Sequence, residues 1–217
     1  MNLDTILVDV LDYITRPLGR EDLLNLVCVC RSIHDKLRPL LYRNIDFYWM
    51  HTEDRDVVAG SVARSEDLAS AVRSIRIATL HNPDAHPVAK ITVDTNTSAL
   101  LRACRFVRRM ELVNSSLGGY RATIESCAAH LQLDHLGISS SVDAQIKVYI
   151  PLLSQQASLV QLTIDPNIYE CTDDALPVHL PCLRSISGCV SMVRLFRRAR
   201  AIENVNLIIS QPKHREA

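Results

Sequence analysis

Hydrophobic residues recur along most of the chain in six short segments of one form. Each segment has an apolar residue, two residues of any kind, an apolar residue, one residue of any kind, and then an apolar residue or glycine. The alternation that ends each segment has the period of two that is typical of a β-strand with one buried face. The segments begin 19 to 35 residues apart, at 72–77, 107–112, 133–138, 159–164, 183–188 and 202–207.

The stretches between these segments have helical periodicity, with apolar residues three and four positions apart. They predict helices over 98–107, 121–131, 144–156 and 190–200, the third of them starting late or kinked because of Pro151. Alternation of strand and helix gives parallel strands joined by right-handed crossovers, with the helices outside. We therefore predict an α/β repeat array over residues 72–217. No polar cap follows the sixth segment, so either the array ends on an exposed edge strand or the chain is shorter than its relatives.

Four outward positions of the predicted strands are candidates for partner contacts. In a stacked array, the residues between the apolar anchors of each strand face the concave surface of the sheet. This placement predicts that a protein substrate contacts Arg76, Glu111, Gly137 and Thr163.

The first fifty residues have a different pattern, which predicts three short helices. Apolar positions spaced three and one apart over 3–14 form one face of a first helix. A second helix follows the break at 16–19, and a third runs from Arg31 to Pro39, where the proline should end it. Three short helices cannot bury this much apolar surface among themselves, so part of it must meet a partner or the rest of the chain.

Four motifs stand within these helices and just after them. They are Leu-Asp-x-Ile-Leu-x-x-Val-Leu at 3–11, Glu-Asp-Leu-Leu-Asn-Leu at 21–26, Val-Cys-Arg-Ser-Ile-His at 29–34 and Arg-Pro-Leu-Leu-Tyr-Arg at 38–43. Together, over residues 2–47, they resemble the F-box and the stretch that follows it in many fungal F-box proteins. The chain departs from the family in having Asn2-Leu3 where Leu-Pro is usual, and in a longer loop over 15–20.

The resemblance implies that this segment docks on the Skp-family adapter of a cullin-RING ubiquitin ligase, an SCF-type complex. Aliphatic side chains on its helices would then enter a helical groove of the adapter. The positions that the resemblance assigns to adapter binding are Leu3, Leu7, Leu23, Leu24, Val27 and Cys30. The alternative for each of them is packing against the repeats.

The sequence therefore predicts an F-box-like helical module at 1–47, a helical connector at 48–71 and an irregular array similar to leucine-rich repeats at 72–217. The interpretation is a substrate-recognition subunit of an SCF-type ubiquitin ligase that binds an unknown protein substrate through the repeats. The alternative is a non-catalytic repeat scaffold for protein–protein interaction, in which a degenerate F-box only caps the array.

Composition and charge argue against other classes of function. The net charge of the 217 residues is zero, so the chain lacks the basic excess of a nucleic-acid binder. No apolar run approaches the length of a membrane span, and acidic Asp4 and Asp9 lie where a signal peptide carries positive charge. The seven cysteines have no regular spacing, and without a secretory signal they are expected to be reduced thiols. These features predict a cytoplasmic or nuclear protein.

No motif for catalysis, metal binding or a cofactor is evident. The Cys28-x-Cys30 pair has no second pair, and the chain has neither a nucleophile elbow nor a phosphate-binding loop. We therefore predict a protein that is not an enzyme and needs no cofactor. Two arginine clusters, at 102–109 and 194–200, lie where helices lead into strands. They are either solvated helix ends or a basic strip along one edge of the array for an acidic partner.

Overall fold

A computed structural model shows an α/β protein built on a seven-stranded sheet in which every strand is parallel to its neighbours. The strands lie in the sheet in the order in which they occur along the chain. The structure describes residues 17–48, 50–78, 95–113, 129–139, 144–165, 168–169, 178–190 and 201–208, together with Val10, Tyr13, Thr15 and Phe196.

Two helices open the continuously described part of the chain. Helix α1 spans Arg20–Val27 and α2 spans Arg31–Leu41. The extended backbone of Cys30 is the N-cap of α2. The apolar run at 23–30 is therefore divided between the end of α1 and the turn that follows it. The prediction that Pro39 ends α2 is wrong. Pro39 lies inside its last turn and costs it one backbone hydrogen bond, and Tyr42 and Arg43 close the helix end by donating to the carbonyls of Pro39 and Leu40.

A short strand that the sequence pattern did not reveal follows these helices. Strand β1, Asn44–Asp46, lies at the edge of the sheet and pairs with β2, Ser74–Ala78. Between them lie two helices, α3 at Thr52–Ala63 and α4 at Glu66–Ala71. The end of the predicted helical module thus belongs to the sheet.

All six predicted strand segments form strands. After β2 these are β3 at Arg109–Val113 and β4 at His135–Ser139, and then, past the minor strand β5 at Ala144–Gln145, β6 at Gln161–Ile164. After the second minor strand β7, Ile168–Tyr169, the sheet is completed by β8 at Ser185–Gly188 and β9 at Asn204–Leu207. β5 and β7 pair with each other in a separate two-stranded sheet. The prediction of parallel strands is confirmed.

The helices between strands differ in extent from the predicted ones. Helix α5, Thr95–Ala103, begins and ends earlier than the predicted helix at 98–107. The predicted helix at 144–156 is a strand, a 3₁₀ turn at Ile146–Tyr149 and a single turn of helix α6 at Ile150–Leu153, with Pro151 near the start of α6. Most of the predicted helices at 121–131 and 190–200 lies outside the described residues.

One repeated backbone contact sets the register of the sheet. The carbonyl of the residue just before a strand accepts hydrogen bonds from two consecutive amides at the start of the next strand. Arg43 O, for example, accepts from the amides of Arg73 and Ser74 at 2.8 and 3.1 Å. The same contact recurs at five further carbonyls, those of Arg73, Arg108, Asp134, Val160 and Arg184. Corresponding residues of neighbouring strands therefore lie side by side.

The helices cover one face of the sheet and leave the other face polar. Inward residues of the strands, such as Ile75 and Met110, share one hydrophobic cluster with Val62 of α3, Leu68 of α4 and Leu100 of α5. Parallel sheets are usually covered on both faces. Here the outward residues of the strands are mostly polar and partly or fully exposed. The polar residues of the uncovered face therefore have to be explained by something other than packing in the core.

Strand β9, at the far edge of the sheet, is exposed, as in one of the two alternatives that the sequence leaves open. All four residues of β9 are exposed, including Val205 and Leu207, whereas inward residues of the other main strands are buried. Among the described residues, no helix is long and apolar enough to cross a membrane.

Leu112 and Leu207 both lie at inward positions of their strands. The same substitution at each therefore compares a leucine packed in the core with a leucine on the exposed edge strand. Leu112 is 1% exposed and Leu207 is 48% exposed. We expect Leu112→Ala to lower the free energy of unfolding by about 2–5 kcal/mol, because it removes buried methyl groups and leaves a cavity. Leu207→Ala should lower it by less than about 1 kcal/mol. Urea denaturation measures both, and equal losses would contradict the assignment of the core.

Candidate functional site

The open face of the sheet carries two continuous rows of outward side chains, because its strands are parallel and in register. The central row consists of Asp46, Arg76, Glu111, Gly137, Thr163, Ser187 and Asn206. The second row consists of Asn44, Ser74, Arg109, His135, Gln161, Ser185 and Asn204.

The four residues predicted to contact a substrate lie next to one another. Arg76, Glu111, Gly137 and Thr163 are consecutive members of the central row. All four line a cavity of about 640 Å³ on the open face of the sheet. The structure thus brings the predicted residues together, and their contact with a substrate stays a prediction.

The first strands of the face hold a network of alternating charges. Glu111 Oε1 accepts hydrogen bonds from Nη2 and Nε of Arg109 at 2.6 and 3.1 Å. Its other oxygen, Oε2, lies 3.3 Å from Arg76 Nε, an ion pair without hydrogen-bond geometry. Nη1 of Arg76 donates to Asp46 Oδ2 at 3.5 Å. Two arginines and two carboxylates therefore neutralise one another on β1, β2 and β3.

Arg76 is held at the centre of this network by an aromatic ring as well as by its two ion pairs. Its guanidinium carbon lies 4.8 Å from the centre of the Tyr48 ring, within the range of a cation–π contact. Tyr48 follows β1, and its amide donates to Asp46 at 2.8 Å. The unpredicted strand β1 and the turn after it thus supply the two partners that hold Arg76 from one side.

Gly137 makes room for Glu111. A Cβ atom at Gly137 would lie 3.2 Å from Cγ of Glu111, closer than ordinary van der Waals contact. The stem of Glu111 therefore rests against the backbone of β4. A side chain at position 137 would require Glu111 to shift by a few tenths of an ångström.

His135 marks the change from the charged part of the face to the uncharged part. Burial lowers the pKa of His135 from its ordinary value of 6.5; a side-chain hydrogen bond with Gln161 opposes this shift, Arg109 adds to it, and Glu111 opposes it. Its imidazole is therefore neutral at pH 7.

Beyond His135 the two rows contain only uncharged polar side chains. The six outward residues of β6, β8 and β9 in these rows are Gln161, Thr163, Ser185, Ser187, Asn204 and Asn206. Hydroxyl and amide groups both donate and accept hydrogen bonds. The face therefore pairs a charged half with a half suited to hydrogen bonding with a polypeptide.

The described residues include cysteine, histidine and acidic side chains of the kinds that metal centres and nucleophilic sites use. In this part of the chain, no group of three or more histidine, cysteine or acidic side chains is placed to hold a metal ion. Burial raises the pKa of the Cys104 thiol to about 12, so it is protonated and unreactive at neutral pH. Cys28 and Cys30 are both exposed free thiols.

A second candidate surface lies on the N-terminal helices. Leu24 on α1 is 45% exposed, and Val29, in the turn before α2, is 67% exposed. Leu24 was predicted to bind the adapter and Val29 was not. Of the other predicted residues, Cys30 is exposed, Leu23 is half-buried and Val27 is buried. Leu3 and Leu7 lie outside the described residues.

Three residues with charged or titratable side chains in the two rows of the open face were missed by the sequence analysis. Asp46 was missed because β1 was not recognised, although Ile45 and Phe47 alternate with it. Arg109 lies two positions before Glu111 on β3, and His135 lies two positions before Gly137 on β4. Each therefore lies on the same face of its strand as the predicted contact. The period of two that identified Glu111 and Gly137 also contained the signal for these neighbours.

The charge network predicts that Glu111 contributes to stability. Glu111→Gln removes both of its ion pairs, and since this side chain is only 26% exposed, we expect a loss of about 1 kcal/mol in the free energy of unfolding. The matched control is Glu203→Gln, which removes an exposed pair at 3.8 Å and should cost close to nothing. Equal effects in urea denaturation, or no loss for Glu111→Gln, would contradict the network.

The lowered pKa of His135 predicts a pH dependence of stability. The unfolded chain binds a proton near pH 6.5, whereas the folded protein resists protonation of His135 until the pH is lower. Its contribution is therefore present above pH 6.5 and is lost as the pH falls from 6.5 toward the folded-state pKa. In urea denaturation between pH 8 and pH 5, His135→Gln should lose less stability than the wild type. Parallel losses would refute the shift.

No protein-family model and no curated protein matches the chain. The function proposed for the chain therefore rests on the residues and geometry of the open sheet face and of the N-terminal helices.

Proposed function

We propose that the chain is the substrate-recognition subunit of an SCF-type ubiquitin ligase, with an F-box-like module at its N-terminus and an array similar to leucine-rich repeats behind it. Its helices would bind the Skp-family adapter, and the open face of its sheet would bind a protein substrate. The observation that carries the proposal is the exposure of two large aliphatic side chains, Leu24 on α1 and Val29 in the following turn, in the segment that resembles the F-box.

The exposed side chains of this helical surface have the character of a protein-binding site. Leu24 and Val29 expose large aliphatic groups close to the exposed Cys30. Aliphatic side chains on a helix bind partners by entering an apolar groove. Val27 is buried where α1 packs against α2, so its role in docking would be to hold the helix pair together.

The sheet supports the second half of the proposal. Parallel strands in chain order, with the described helices α3, α4 and α5 packed on one face, are typical of leucine-rich repeats, whose open face binds proteins. The central row provides charged groups on β1 to β3 and hydrogen-bonding groups on β6 to β9. Such a surface recognises a polypeptide by charge and hydrogen bonding rather than by burial of large apolar side chains.

In this role the protein would itself catalyse no reaction. Binding the adapter with one surface and the substrate with another raises the effective concentration of the substrate near the ubiquitin-loaded enzyme. The spacing between the two surfaces then decides which lysines of the substrate are reached.

The second candidate function is a repeat scaffold in which the N-terminal helices only cap the sheet. Its support is that α2 buries Leu37 and packs against α4, which belongs to the hydrophobic cluster of the sheet. This contact attaches the module to the array. It leaves Leu24 and Val29 exposed, however, and a cap would bury its apolar side chains.

Adapter binding distinguishes the two candidates. We expect the purified chain to bind a purified Skp-family adapter in calorimetry, and Leu24→Asp to weaken the complex by at least about tenfold because it places a charge in an apolar groove. The Leu23→Asp/Leu24→Asp double variant should abolish binding. The matched control is Val57→Asp on α3, which is 66% exposed and lies away from α1.

Circular dichroism establishes that each variant is folded. Loss of binding for Leu24→Asp with binding retained by Val57→Asp would support the ubiquitin-ligase role. A well-folded wild-type chain that does not bind at tens of micromolar adapter would overturn it and favour the scaffold.

A further inference from the structure

The residues immediately before the strands form a third row, at the N-terminal edge of the sheet. Six of them supply the carbonyls that accept two amides each, so the backbone holds the row at a fixed spacing. We call it the edge row; its members are Arg43, Arg73, Arg108, Asp134, Val160, Arg184 and Glu203, and all seven are exposed.

Side chains of neighbouring positions in the edge row reach one another. Arg108 Nη1 lies 3.6 Å from Asp134 Oδ1, and Arg184 Nη1 lies 3.8 Å from Glu203 Oε1. The guanidinium of Arg73 lies over the ring of Phe106, 5.6 Å from its centre, and so leans toward the next strand. The side chains of this row therefore share one surface.

The charge of the edge row is concentrated at one end. Arg43, Arg73 and Arg108 are consecutive, and the exposed Arg105 lies three residues before Arg108. Within the described part of the chain, neither Arg43 nor Arg73 has an acidic ion-pair partner, whereas Arg108 is paired with Asp134 and Arg184 with Glu203. A protein of zero net charge thus has a concentrated positive surface beside β1, β2 and β3.

We propose that these three arginines, the arginine edge, bind a short run of aspartate or glutamate residues in an extended segment of a protein partner. Neighbouring strands lie about 4.8 Å apart, so the arginine edge spans about 10 Å, the length of about three residues of extended chain. Each guanidinium presents five N–H donors and pairs with a carboxylate through two of them.

Arg73 is prepared for this role by its local contacts. Its Nη1 donates to the carbonyls of Ser70 and Val72, and its guanidinium plane lies against Phe106. These contacts order the side chain before a ligand arrives, which lowers the entropy lost on binding.

An acidic peptide fits this surface better than a nucleic acid does. Nucleic-acid binding sites neutralise many phosphates along a long basic surface. The arginine edge has three positions, and its continuation across the sheet is Asp134. An acidic side chain at the fourth position would repel a phosphate backbone that continued in the same direction.

The test uses the full chain and a fluorescein-labelled decapeptide with four consecutive glutamates between glycine and serine residues. Fluorescence anisotropy at low salt should show binding, and the same peptide with glutamines should bind at least about tenfold more weakly. The Arg43→Gln/Arg108→Gln variant leaves Arg73 on Phe106 and should weaken the glutamate peptide by at least about tenfold. The matched control is Arg31→Gln/Arg184→Gln, which removes two charges elsewhere and should bind like the wild type.

Each alternative ligand has its own outcome. Equal binding of the glutamine peptide, or equal losses in the two double variants, would overturn the arginine edge as the site. Tighter binding of a single-stranded oligonucleotide that also requires Arg43 and Arg108 would overturn the choice of a peptide. Binding that appears only with phosphoserines in place of the glutamates would overturn the choice of carboxylates. Adapter docking plays no part in this test, so its result is independent of the proposed ligase role.

Discussion

The structure depends on one backbone contact: the carbonyl just before each of six strands in the seven-stranded sheet accepts two consecutive amides from the start of the neighbouring strand. This contact fixes neighbouring strands parallel and in register, so inward hydrophobic residues form continuous rows that the helices cover. The same register places outward residues in rows on the open face and places the residues before the strands in a row along one edge. The core, the open face and the arginine edge all result from this one register, which is repeated between neighbouring strands of the sheet.

Much of this arrangement was predictable because its signals are local. Alternation of apolar residues identified six strands, and a common motif position identified Arg76, Glu111, Gly137 and Thr163 as neighbours. Strand β1 was missed, since three residues directly after a helical motif carry too little periodicity. Helix ends were misplaced where a last turn tolerates Pro39, whose missing amide costs only one hydrogen bond there. The charge network was not predictable, because the pairing of Asp46 with Arg76 depends on β1 and on side-chain rotamers.

Two surfaces of different chemistry explain how one small protein would connect two partners. The helical surface around Leu24 is aliphatic and suits a constant partner with an apolar groove. The open sheet face and the arginine edge are polar and charged, which suits recognition by charge pattern and hydrogen bonding. Since α2 packs against α4, the helical surface is attached to the array rather than tethered by an unpacked segment.

The most direct test of this assignment is amide hydrogen exchange of the chain with and without a Skp-family adapter. We predict slower exchange in α1 and α2, over Arg20–Val27 and Arg31–Leu41, and unchanged exchange in the strands of the sheet. That result would locate the adapter on the helical surface and leave the sheet face available for a substrate. Unchanged exchange in both helices at tens of micromolar adapter, or protection confined to the sheet, would contradict the assignment.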